Sequence, residues 1–95
     1  MRLFKTIDEK FEEIGFVKGK EDQYGVVYER NNTEYKFTQR LDLLHKASGR
    51  HIVQSYDIHL MDDKKIGNTC VGLTLYEMKL CLKKMKQRGW KAYKK

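Results

Sequence analysis

The sequence predicts a two-layer α+β domain, in which a four-stranded antiparallel sheet carries an N-terminal and a C-terminal helix on one face. Apolar residues recur at helical spacing in residues 3–14 and 73–88, and they alternate with polar residues in between. The element order is therefore α-β-β-β-β-α, and a single apolar sheet face places both helices on that face. The 95 residues suit one domain, which we expect to span residues 1–89 and to end in a basic, aromatic tail, residues 90–95.

The first helix is marked by five apolar residues on one arc, with acidic residues on the opposite side. Gly15 stands where a left-handed residue commonly ends a helix, and Phe16 follows it where it can fold back on Phe11. A short first strand, from Phe16 to about Lys18, leads into a polar turn at residues 20–23. The arc consists of Leu3, Phe4, Ile7, Phe11 and Ile14.

Alternating apolar residues on both sides of Asn31-Asn32 predict the first hairpin. Asn tolerates the positive φ values that a two-residue turn needs. A turn at this dipeptide puts the apolar residues of both strands on one face, as a half-buried hairpin requires. The opposed pairs are then Tyr28 with Tyr35 and Val26 with Phe37.

The second hairpin turns at residues 47–50, and two registers are open for its returning strand. A three-residue loop sets Leu41 opposite Ser55 and mixes polar with apolar partners. A two- or four-residue loop sets Leu41 opposite Tyr56 and keeps one apolar face. We expect the second register, because a slip of one residue turns the whole strand over. The further opposed pairs are then Phe37 with Leu60, His45 with Ile52 and Arg40 with Asp57.

The last helix has a clear beginning and end. Thr74 and Glu77 have the spacing of a capping box, Leu73 can pack on Met78 as a hydrophobic staple, and Gly89 ends the helix. Its predicted buried arc is Leu75, Met78, Cys81, Leu82 and Met85. Tyr76 and Leu80 lie off this arc, one turn apart, and are predicted to be exposed.

The excess positive charge of the chain lies in its last 18 residues. The formal net charge is +7, and no acid follows Glu77, whereas eight Lys or Arg residues do. Cations that neutralise phosphates, together with aromatic side chains that stack on bases, are typical of nucleic-acid binding. We predict a nucleic-acid or partner interface formed by Lys79, Lys83, Lys84, Lys86, Arg88, Trp90, Lys91, Tyr93, Lys94 and Lys95.

Other interpretations of this segment are open. The basic helix is a plain solvated face if the acidic first helix neutralises it, or it lies on anionic lipid, although the core needs its apolar arc. Tyr76 and Leu80 form a second candidate, a small patch for a protein partner. A third candidate docking surface is the polar face of the sheet, with Lys36, Thr38, Arg40, Asp42, Ser55, Asp57 and His59.

No pattern indicates catalysis, a metal site or a cofactor, so we expect a non-enzymatic protein. In the chosen register His45 faces the core, His51 faces solvent and His59 lies at the far end of the strand, too distant to share an ion. No phosphate loop and no nucleophile with a base beside it is present. Cys70 and Cys81 are expected to be reduced thiols. We expect no signal peptide and no membrane span.

Three stretches, YGVVYER, HKASGRHIVQSYD and CVGLTLYEMKLCLKKMKQRG, resemble a group of small uncharacterised proteins encoded in phages, prophages and mobile elements of Gram-positive bacteria. The resemblance covers the chain from about Phe11 to Gly89 and brings no catalytic or binding residue with it. It implies a bacterial cytoplasmic setting and an accessory role, in which small binders and inhibitors are common.

The function expected from the sequence is a small binding domain that engages DNA, RNA or a nucleoprotein through the basic helix and tail. The alternative is a protein-interaction module, such as a phage-encoded inhibitor of a host protein. The sequence leaves the oligomeric state open, because a four-stranded sheet has two edges that could pair with another chain.

Overall fold

The computed structural model describes residues 4–32, 37–46, 50–58 and 70–90, and it confirms the predicted α-β-β-β-β-α order. The four strands form one antiparallel sheet in the order β1-β2-β3-β4, and both helices pack on the same face. The elements are α1 (Ile7–Glu13), β1 (Val17–Asp22), β2 (Gly25–Asn32), β3 (Phe37–His45), β4 (His51–Asp57) and α2 (Leu75–Gln87).

Both helices begin with a capping box. The Thr74 hydroxyl accepts a hydrogen bond from the Glu77 amide, and the Glu77 carboxylate accepts one from the Thr74 amide, as predicted. Thr6 and Glu9 make the same pair of bonds in α1, so this helix begins at Ile7. The prediction that Phe4 belongs to the buried arc of the helix is wrong, because Phe4 precedes the helix and is exposed. Leu3 lies outside the described residues.

The pairing of β2 with β3 differs from the predicted register by six residues. Tyr28 lies opposite Leu41, and Asn32 lies opposite Phe37, whereas Tyr35 is outside the described residues. Asn31 does not turn the chain; its side-chain oxygen accepts a hydrogen bond from the Thr38 hydroxyl across the two strands. Because the shift is even, the predicted apolar residues still share one face.

The pairing of β3 with β4 is the register that the sequence argument rejected. Leu41 lies opposite Ser55, so the predicted pairing of Leu41 with Tyr56 is wrong, as are those of Arg40 with Asp57 and His45 with Ile52. The observed opposed pairs are Gln39 with Asp57, Arg40 with Tyr56, Leu44 with Ile52 and His45 with His51.

Two polar pairs in this register are hydrogen-bonded. Buried Gln39 donates from Nε2 to the Ser55 hydroxyl at 2.7 Å on the helix-covered face. On the open face the Tyr56 hydroxyl donates to Asp42 Oδ2 at 2.7 Å. A buried polar group costs little when it is hydrogen-bonded, so an apolar face along β4 is not required.

The core lies between the two helices and the strands β2 and β3, with Phe16 just before β1. The Phe11 ring stacks on Tyr28 at 4.1 Å between centroids and meets the edge of Phe16 at 5.8 Å. The side chains that the structure buries here are Phe11, Phe16, Val26, Tyr28, Leu41, Leu43, Leu80, Cys81 and Met85. Both cysteines are reduced; Cys81 belongs to this core, and its burial raises the pKa of the thiol to about 12.

Helix α2 presents a different face to the core from the predicted one. Leu75 is 69% exposed, Leu82 is 65% exposed and Met78 is 44% exposed, so the prediction that they are buried is wrong for three of the five residues of that arc. Leu80, predicted to be exposed, is 1% exposed and belongs to the core. At about 100° per residue, the helix is turned by roughly a quarter of a revolution from the expected position.

Buried charges account for this rotation. Glu77 and Lys84 are 4% and 5% exposed, seven residues apart on one side of α2. The Lys84 Nζ atom lies 3.2 Å from Asp8 Oδ1 and 3.5 Å from Glu21 Oε2. Glu77 Oε2 lies 2.8 Å from Nη1 of Arg30. In this orientation each buried charge has its partner, and a rotation that separated the partners would leave Asp8, Glu21 or Arg30 without one, so the ion pairs fix the side that α2 turns toward the sheet.

Replacing Lys84 by Ala is expected to cost about 3 kcal/mol of unfolding free energy, because it removes the more deeply buried of the two cations that Asp8 and Glu21 share, the other being Lys18. Lys83→Ala, which removes an exposed lysine from the neighbouring position, is expected to cost under about 0.5 kcal/mol. Urea denaturation followed by circular dichroism measures both. Equal losses in the two variants would show that the Lys84 ion pairs do not hold the helix in place.

Candidate nucleic-acid interface

The structure divides the predicted interface residues into three groups. Lys84 and Arg88 face the sheet and make ion pairs, Lys79, Lys83 and Lys86 lie on the exposed side of α2, and Trp90 packs against the core. The remaining four predicted residues, Lys91, Tyr93, Lys94 and Lys95, lie outside the described residues.

Arg88 is bound to β1. Its Nη1 atom lies 2.6 Å from Glu21 Oε2, and its Nη2 atom donates to the Asp22 carbonyl at 2.6 Å. A bulge in β1 between Lys18 and Glu21 inserts an extra residue and brings the Glu21 carboxylate under α2. Arg88 and Lys84 therefore stabilise the fold, and two of the eight C-terminal cations are not available to an outside phosphate.

The acidic first helix does lie beside the last helix. Asp8, in the first turn of α1, accepts hydrogen bonds from Tyr28, Lys18 and Lys84. Burial alone would raise the pKa of the Asp8 carboxyl, but these bonds outweigh burial and hold the pKa below its ordinary value. Burial would likewise raise the pKa of the Glu21 carboxyl, but hydrogen bonds from Lys18 and Arg88 outweigh burial and lower this pKa. The two carboxylates neutralise the inner side of α2.

The outer side of α2 keeps its positive charge. Lys79, Lys83 and Lys86 are exposed, and within the described residues they make no recorded ion pair. No acid follows Glu77 in the sequence, and Glu77 itself is buried against Arg30. These three lysines are the part of the predicted helical interface that remains accessible.

Trp90 is held by two histidines of the second hairpin. Its ring lies 5.2 Å from the His45 ring and 5.4 Å from the His51 ring, nearly parallel to both. Gly89, with φ of 81°, reverses the chain so that the Trp90 amide donates to the Met85 carbonyl. The tail was predicted to begin at Trp90, but packing of the domain extends through this residue.

The two histidines were predicted to face opposite sides of the sheet, and that prediction is wrong. In the observed register they are direct cross-strand neighbours, with their Nδ1 atoms 3.1 Å apart. His59 lies outside the described residues. Among the residues that the structure describes, no group of three or more His, Cys, Asp or Glu side chains could hold a metal ion.

The contact of Trp90 with the two histidines brings the C-terminal segment to two cations that were not among the predicted interface residues. Lys46 and Arg50 directly flank His45 and His51, are exposed, and are joined by a hydrogen bond from the Lys46 amide to the Arg50 carbonyl. They lie at the end of the hairpin on which Trp90 packs. Their position beside a turn was visible in the sequence, but their proximity to the C-terminal segment depends on the register. We call Lys46, Arg50 and the three-ring cluster the basic end.

The other predicted surfaces are also changed. Tyr76 is half exposed as expected, but Leu80 is buried, so the proposed Tyr76–Leu80 patch does not exist. On the open sheet face Arg40 Nε lies 3.7 Å from both Glu29 and Asp42, and its predicted pairing with Asp57 is absent. Lys36 and His59 of that face are outside the described residues, and Ser55 and Asp57 belong to the opposite, helix-covered face.

Comparisons with protein-family models, with curated proteins and with solved structures find no match for this chain. The described helices include none that is long and apolar enough to cross a membrane.

Acid should destabilise the fold through Asp8 and Glu21. Because their pKa values are lowered in the folded protein, their contribution is complete above the ordinary values of 3.8 and 4.5 and is lost as pH falls through the folded-state values. Urea denaturation at pH 7, 5, 4 and 3 should show a flat free energy down to about pH 5 and then a decline.

The matched variants separate this effect from general acid denaturation. Asp8→Asn should be less stable at pH 7 and should show a shallower decline below pH 5, whereas Glu12→Gln, at an exposed position of the same helix, should keep the wild-type pH profile. An unchanged decline in Asp8→Asn would contradict the role given to its ion pairs.

Proposed function

We propose that this protein is a non-enzymatic binding module that engages nucleic acid through the basic end and the cations that follow it in the sequence. The observation that carries the proposal is the stacking of Trp90 on His45 and His51, which joins the C-terminal basic segment to the hairpin cations Lys46 and Arg50. Two exposed cations of the hairpin, Lys46 and Arg50, therefore flank the histidines on which Trp90 packs.

The chemistry of this surface suits a phosphate backbone. Exposed lysines and arginines neutralise phosphates and release counterions, and this supplies most of the free energy of non-specific binding. The part-exposed rings of Trp90, His45 and His51 beside them add aromatic surface against which an unpaired base can pack. The accessory role in a bacterial cytoplasm, implied by the resemblance to phage and mobile-element proteins, is the setting that we propose for this activity.

The test is a fluorescence-anisotropy titration with 20-nucleotide single-stranded and duplex probes at two salt concentrations. Binding should weaken steeply with salt, and Lys46→Ala/Arg50→Ala should reduce the slope of log affinity against log salt by about one for each phosphate contact that is removed. Lys5→Ala/Lys10→Ala is the matched control, because it removes the same charge from the first helix region.

The proposal has two ways to fail in this experiment. Absence of binding to both probes at low salt would rule out nucleic acid as the ligand. Equal losses in the two double variants would show that only the net charge matters and that the basic end is not the site.

A second candidate function, a protein-interaction module, is supported by the apolar residues that α2 exposes. Leu75, Met78 and Leu82 have no role in the core, and exposed apolar residues that cluster mark interaction surfaces more often than scattered ones do. Tagged protein should then retain a bacterial partner protein after nuclease treatment. Recovery of nuclease-sensitive material alone would exclude this candidate.

A further inference from the structure

The exposed side of α2 carries an apolar stripe that the fold does not use. Leu75, Met78 and Leu82 are spaced three and four residues apart, so their side chains line one side of the helix. The opposite side already contributes its buried residues to the core. Within the described ranges of the chain, no residue packs over this stripe, which makes it a candidate binding surface.

This stripe continues into a groove between α2 and the edge strand β4. The groove has a volume of about 560 Å³, and Met78 forms the wall that belongs to the helix. Val53 of β4 and Val71 and Leu73 of the segment before α2 supply the other apolar side chains of the lining, and Ser55 and Gln54 supply hydroxyl and amide groups.

Lysines flank the stripe along its length. Lys79 follows Leu75 by four residues and Lys86 follows Leu82 by four, so each exposed leucine has a lysine on the next turn of the same side. Lys83 lies beside them. The surface is thus apolar along one line and positively charged along the adjacent one.

The charge arrangement decides among the possible occupants. A second copy of this chain, paired about a two-fold axis, would bring two rows of lysines together, and like charges across an interface cost several kcal/mol. A flat lipid surface could meet the lysines and leucines but could not fill a groove whose far wall is β4. An amphipathic helix with an acidic flank meets both the apolar groove and the lysine row.

We propose that the α2–β4 groove binds an acidic amphipathic helix of a partner protein. The apolar face of that helix covers Met78 and Leu82, and its carboxylates lie against Lys79 and Lys86. This inference rests on the protein-interaction candidate and is independent of nucleic-acid binding at the basic end.

The probes are two fluorescein-labelled 18-residue helical peptides with identical leucines on one face. One carries Glu at its other positions and the second carries Lys. The acidic peptide should bind the full-length protein with a Kd on the order of 10 µM, and the basic peptide should not bind at ten times that concentration. Equal binding of the two peptides, or no binding of the acidic one, would overturn the inference.

Matched variants locate the site. Leu75→Ser/Leu82→Ser should weaken the acidic peptide by about tenfold or more, whereas Val17→Ser, an equally exposed apolar residue on β1, should leave it unchanged. Lys79→Ala/Lys86→Ala should weaken the peptide and reduce the salt dependence of its binding. An unchanged affinity in the leucine variant would place the peptide elsewhere and overturn the proposal.

Three control measurements on the same variants keep the outcomes distinct. Unchanged nucleic-acid affinity in the leucine variant separates the groove from the basic end. A sedimentation mass of two chains that falls to one in this variant would assign the stripe to self-association and overturn the proposal. Leucine-dependent binding to vesicles of phosphatidylglycerol, without peptide binding, would assign the stripe to a lipid surface and overturn it as well.

Discussion

The ammonium group of Lys84, enclosed between Asp8 and Glu21, is the interaction on which the rest of this structure depends. It joins three elements, α1 through Asp8, β1 through Glu21 and α2 through its own backbone, and the Lys18–Asp8 and Arg88–Glu21 ion pairs reinforce the same junction. Removing one member of a buried ion pair is far more costly than the net value of the pair, so the arrangement specifies orientation more than it adds stability. The rotation of α2 about its axis follows from this constraint.

That rotation also determines what the molecule offers to partners. With Glu77, Lys84 and Arg88 turned inward, part of the C-terminal positive charge is neutralised inside the fold. The outward side then presents leucines and lysines together, which is unusual for a purely solvated helix. The basic end and the α2–β4 groove are consequently separate surfaces: the first presents cations and aromatic rings, and the second presents apolar side chains flanked by lysines.

The sequence was sufficient to predict the fold class, the element order and the cap of α2, because these depend on local patterns. The capping box of α2 involves only Thr74 and Glu77, which are three residues apart, and the positive φ of Gly15 depends only on the end of α1. The strand registers depended on distant partners. Asn31 has the composition of a turn residue, but it lies in a strand and is bonded to Thr38 of the next strand. Ser55 has the composition of a surface residue, but it accepts a hydrogen bond from buried Gln39.

The orientation of α2 and the basic end could not be predicted for the same physical reason. Counting apolar residues favoured Leu75 and Leu82 for the core, because periodicity assigns lysine to solvent. No local pattern shows that Lys84 meets two carboxylates from other elements, or that His45 and His51 come together under Trp90. The predicted interface therefore kept its exposed lysines, lost Lys84 and Arg88 to the fold, and gained the hairpin cations.

Hydroxyl-radical footprinting of the native wild-type protein, read by mass spectrometry, tests the orientation of α2 most directly. For residues of one type, the rate at which methionine or leucine side chains are oxidised rises with their exposure, so the orientation of α2 can be measured without substitutions. The account predicts that Leu82 is modified at least about tenfold faster than Leu80, and Met78 about fivefold faster than Met85, because the exposed fractions are 65% against 1% and 44% against 9%. Both differences should disappear in denaturant. Faster modification of Leu80 than of Leu82 would contradict the claim that the buried ion pairs of Lys84 set the face that α2 presents.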